Sequence, residues 1–91
     1  MRQYIWNRLD CEYVREAYSK YSRLIRSYKE SVDYSVTVGR GCFYFYLVEK
    51  FPKENDLIDS WRFFGEQISL STYYRAKRFV RTVNTWKESI H

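Results

Sequence analysis

Apolar residues change their spacing twice along the chain. From residue 10 to about residue 30, Val14, Ala17, Tyr18, Tyr21, Leu24, Ile25 and Tyr28 recur at helical intervals and form one stripe. Asp10 is placed to cap that helix, and Glu12 falls in its first turn, where a carboxylate meets the positive end of the backbone dipole. Glu16, Lys20, Arg23 and Arg26 lie off the stripe as a mixed, solvated face. Over residues 33–51 the spacing shortens. Tyr34, Val36 and Val38 alternate with Ser35 and Thr37, Gly39-Arg40-Gly41 offers a turn, and Cys42-Phe43-Tyr44-Phe45-Tyr46-Leu47-Val48 is apolar or aromatic on both faces. This pattern predicts a β-hairpin whose second strand is the better covered. A two-stranded sheet is not stable alone, so it must pack on helices. Pro52 ends the pattern. A helix over about 54–65 is expected next, with Leu57, Ile58, Trp61 and Phe64 on one side and Gly65 at its end. Helical spacing returns from Ser71 to about Ser89. The predicted fold class is α+β, with an N-terminal helix, a β-hairpin and two C-terminal helices in a single small domain, 1–91.

Aromatic residues make up 21% of the 91, as ten Tyr, six Phe and three Trp. Large rings bury much area per residue and help a short chain build a core, while Tyr also suits half-wet interface positions. Sixteen Lys and Arg against eleven Asp and Glu give a net charge of +5, which favours anionic partners. The N-terminal MRQYIWNRLD lacks an apolar signal core, and the run Cys42 to Val48 is far too short to span a bilayer as a helix. A soluble cytoplasmic protein without membrane association is expected.

Two cysteines, Cys11 and Cys42, and a single histidine at the last position, His91, do not make a zinc site, so no metal or cofactor is expected. Free thiols are favoured, with one disulfide between the two cysteines left open. Catalysis is not expected. No base stands near a nucleophile, Glu49-Lys50, Asp56 and Asp59 lack a metal-nuclease spacing, and Gly39-Arg40-Gly41 is too short for a phosphate loop.

The last helix carries the functional signal. At about 100° per residue, Tyr73, Ala76, Phe79, Val80, Val83 and Trp86 gather on one face. Tyr74, Arg75, Lys77, Arg78, Arg81, Thr82 and Thr85 occupy the other, and no acidic residue lies between Glu66 and Glu88. A face of one sign repels itself, and a phosphate backbone would offset that repulsion. Arginine can also read guanine edges, and Thr and Tyr hydroxyls add phosphate contacts.

The segment Phe64-Gly65-Glu66-Gln67-Ile68-Ser69-Leu70-Ser71-Thr72-Tyr73-Tyr74-Arg75 resembles the turn and recognition-helix start of helix-turn-helix DNA-binding proteins of transposase and phage-regulator type. The likeness covers residues 57–78, with Glu66 and Gln67 lengthening the turn. It implies DNA contacts from Ser69, Ser71, Thr72, Tyr74, Arg75 and Arg78, with Ser71 capping the helix and Ile68, Tyr73 and Ala76 packed on the preceding helix. Lys77 and Arg81 extend the basic face, and Arg40 at the hairpin tip would be an accessory probe. The hairpin precedes the two helices, so the pattern is that of a hairpin inserted in a tri-helical core and not of a standard winged helix.

The expected function is that of a small basic protein binding double-stranded DNA, with homodimerisation plausible on two half-sites. A phage- or plasmid-type regulator or a replication or mobilisation accessory factor would have these properties. The alternative is a protein-interaction module, such as a small inhibitor or assembly subunit, presenting Tyr, Trp and Arg to a protein partner.

Overall fold

The computed structural model describes residues 12–32, 36–64 and 67–90, and every regular element among them is helical. Helix α1 spans Glu12–Val32 and α2 spans Val38–Lys50. A 3-10 segment, Glu54–Asp59, leads into the single turn α3, Trp61–Phe64, and α4 spans Leu70–Ser89. The first and last helices stand close to the bounds their spacing predicted. Asp10, the expected cap of α1, lies outside the described residues.

The expected β-hairpin is not formed, and the α+β class gives way to an all-helical one. Residues 33–35 lie outside the described residues, but from Thr37 onward the chain is helical. Thr37 is extended and caps α2, its Oγ1 accepting from the Arg40 N–H at 3.1 Å. The run from Cys42 to Leu47 is buried at every position. A helix that is apolar all round is a buried helix, and a short apolar run has the same composition as a covered strand.

Gly41 is a packing residue here, not a turn residue. A Cβ at this position would lie 3.0 Å from Ile25 Cδ1 and Cγ2 and 3.3 Å from Phe79 Cε2, so its absence lets α1 and α4 close on α2.

Helix α2 is the centre of the molecule, packed on both α1 and α4, which touch each other much less. Rings supply most of the contact. Phe79 of α4 meets Tyr44 at 5.6 Å and Phe45 and Tyr28 at 6.0 Å, all as centroid separations. Tyr21 tilts against Phe45 at 5.0 Å, and Tyr28 meets Trp86 edge-on at 5.4 Å. Phe64 closes one end against Phe43, Tyr46 and Phe51. The end of α2 lies by the start of α4, where the Tyr73 hydroxyl donates to the Phe51 carbonyl at 2.6 Å. Cys42 is a free thiol, fully buried, and burial pushes its pKa up to about 11. Cys11 lies outside the described residues.

The single helix expected over 54–65 is divided. Leu57 and Phe64 are buried, whereas Ile58 and Trp61 are exposed. The division falls at Ser60, a buried polar residue whose Oγ accepts from the Ile68 N–H at 2.9 Å. That bond satisfies a buried backbone donor just before α4, a group that would be costly to leave unpaired. No described helix is long and apolar enough to cross a membrane.

Two outcomes test this packing. Gly41→Val should destabilise the protein by about 1–3 kcal/mol in urea unfolding, because the new methyl groups must displace Ile25 or Phe79. Glu49 accepts from the Lys20 ammonium at 2.6 Å and from the Tyr21 hydroxyl, and these bonds hold its carboxyl below the ordinary range. Its stabilisation is therefore present above the unfolded carboxyl pKa of about 4.3 and is lost as pH falls through the lower folded value. Glu49→Gln should cost under about 1 kcal/mol near pH 7, and the difference from wild type should close near pH 3.

Candidate nucleic-acid interface

Helix α4 is set in place from its first turn. Ser69 is extended, and its Oγ accepts from the Thr72 N–H at 3.3 Å. It is therefore the cap, in place of the expected Ser71. The Ser69 hydroxyl donates to Thr72 Oγ1 at 3.0 Å and lies 3.3 Å from Ser71 Oγ. Three of the residues expected to touch DNA are thus hydrogen-bonded to one another around the cap. Beyond it, Tyr73, Ala76, Phe79 and Val83 are buried against the body of the protein. The opposite face follows from that burial.

Tyr74, Arg75, Arg78 and Arg81 are exposed, and Lys77 is half-buried. The ion pairs among the described residues, Lys20 with Glu49 and Arg62 with Asp59, involve none of these cations. Tyr74, Lys77, Arg78 and Arg81 line one shallow surface depression. Lys77 Nζ lies 5.4 Å from the centroid of the Tyr73 ring, which places the ammonium over an aromatic face. The Tyr74 hydroxyl donates to the Glu54 carboxylate, which raises the Tyr74 pKa and ties α4 to the 3-10 segment. A comparable depression on α1, lined by Lys20, Arg23 and Arg26, also contains Glu30, so its charge is mixed. The α4 depression has cations only.

Arg40 is not part of this line. It sits in the first turn of α2, where its guanidinium is 6.0 Å from the Tyr44 ring centroid and Nη1 is 3.3 Å from the Tyr44 hydroxyl. With no hairpin there is no tip for it to occupy.

The helix-turn-helix arrangement is also not formed as expected. The segment before Ser69 holds 3-10 winding and one α-turn, with Gly65 and Glu66 outside the described residues, and α4 packs chiefly on α2. Ile68, Tyr73 and Ala76 are buried, but Tyr73 is anchored to the end of α2.

Sequence spacing missed the contact between Glu54 and Tyr74. The two lie twenty positions apart, and no local pattern links them. It also missed the groove where Leu57, Ile58, Ile68 and Leu70 come together, because Ile58 counted as an inward residue of one long helix. Among the described residues, no three His, Cys, Asp or Glu side chains are grouped to hold a metal ion. No protein-family model matches the chain, and neither does any curated protein or solved structure.

Proposed function

We propose that the protein binds nucleic acid, with DNA as the expected polymer, through the outward face of α4 and without catalysing a reaction. The observation behind this is the row of exposed arginines at 75, 78 and 81, joined by Lys77, with no carboxylate paired to any of them among the described residues. Such a row is costly to hold together in isolation and is relieved by phosphate, which exchanges counterions for protein cations. Arginine at these positions is not needed by the core, since the buried contacts of α4 come from its other face. A regulatory or a replication or mobilisation role would use the same surface.

A second possibility, a protein-interaction module, draws on a different observation. Ile58, Trp61 and Leu70 are large, apolar and exposed, and Ile58 and Leu70 share one groove. Under that alternative, Leu70→Asp would abolish partner binding and the arginines would matter little.

The deciding experiment is fluorescence anisotropy on labelled DNA across a salt series. Wild-type affinity should fall linearly on a log–log plot against salt, and the triple change Arg75→Ala, Arg78→Ala, Arg81→Ala should flatten that slope by about 0.7–0.9 for each of these arginines that meets a phosphate. No binding even at low salt, or a slope unchanged in the triple variant, would refute the proposal.

A further inference from the structure

We infer that the polymer is held as a single strand, with a base stacked on Tyr74 and its phosphates on Lys77, Arg78 and Arg81. This rests on the nucleic-acid role proposed for α4 and specifies the form of the ligand. Tyr74 is 49% exposed and borders the same depression as the three cations. Its hydroxyl is tied to Glu54, so the ring is held in one orientation before a ligand arrives. In a duplex the flat faces of the bases are covered by their neighbours, and a protein meets edges and phosphates. A single strand offers uncovered faces, and an aromatic ring beside a cationic track is the usual way to hold it.

The leading end of α4 points the same way. A recognition helix enters the major groove with its N-terminal side chains toward the base edges. Here those residues are Leu70, which is exposed and apolar, and Ser69, Ser71 and Thr72, whose hydroxyls are partly engaged with one another around the cap. The useful groups begin one turn later, at Tyr74. From Tyr74 to Arg81 the helix rises about 10.5 Å. The Glu54 carboxylate stands at the hydroxyl end of the ring and repels phosphate there, so the track runs from Tyr74 toward Arg81.

The test is anisotropy on short labelled oligonucleotides as single-stranded DNA, single-stranded RNA and duplex DNA of the same sequence. Wild type, Tyr74→Leu, Tyr74→Phe and the pair Arg78→Ala with Arg81→Ala are compared, each first checked for helical circular dichroism. Wild type should bind single strands more tightly than the duplex. Tyr74→Leu should weaken single-strand binding by about fivefold or more and leave duplex binding unchanged, while Tyr74→Phe, which keeps the ring, stays within about twofold. Three phosphate contacts give a single-strand log–log salt slope of about −2, which the double arginine change reduces to about −0.7. Either sugar preference supports the inference and identifies the polymer. Tighter binding to duplex, or a Tyr74→Leu variant that holds single strands as well as wild type, overturns it while the salt slope upholds the role of α4. Absence of salt-dependent binding to every polymer overturns both.

Discussion

The structure depends on covering α2. A helix whose residues from Cys42 to Leu47 are all buried cannot stand in water on any side. It needs an amphipathic helix against each flank, and α1 and α4 supply them. Gly41 sets how close they come, because any side chain there would meet Ile25 and Phe79. Phe79 then joins the three helices by touching Tyr28, Tyr44 and Phe45. A chain of 91 residues has little area to bury, and rings give it the most contact per residue.

That packing fixes what α4 can present. Its Tyr73, Ala76, Phe79 and Val83 face inward, so Tyr74, Arg75, Arg78 and Arg81 face out. Three acidic side chains elsewhere have local tasks. Glu49 holds Lys20 and Tyr21, Asp59 lies near Arg62, and Glu54 holds Tyr74. None of the ion pairs among the described residues reaches the arginines of α4. Arg75, Arg78 and Arg81 therefore stand together on one outward face of α4.

The two long helices were legible because each has one apolar stripe over many turns, the strongest periodic signal a chain carries. The outward placement of Arg75, Arg78 and Arg81 followed from the same period. The central element was not legible. Seven consecutive apolar or aromatic residues fit a covered strand and a covered helix equally, and the preceding alternation of Tyr34, Val36 and Val38 with polar residues favoured the strand. Thr37 as a cap and Gly41 as a contact decided the matter, and both act through three-dimensional neighbours. The division at Ser60 and the choice of Ser69 over Ser71 as cap have the same origin. Each turns on one hydrogen bond, from the Ile68 N–H and from the Thr72 N–H respectively. Arg40 was placed at a tip because two glycines flank it, but Gly39 lies against the Tyr18 hydroxyl of α1 and Gly41 against Ile25 and Phe79.

Residue-resolved NMR with a short oligonucleotide addresses the whole account in one titration. Free protein should show helical carbon shifts through Val38–Lys50 and slow amide exchange over Cys42–Leu47. Added ligand should move the signals of Tyr74, Lys77, Arg78 and Arg81 and leave those of α2 in place. Extended-type shifts across 42–47, or ligand-induced changes centred on Ile58 and Leu70 with α4's cations unmoved, would contradict it.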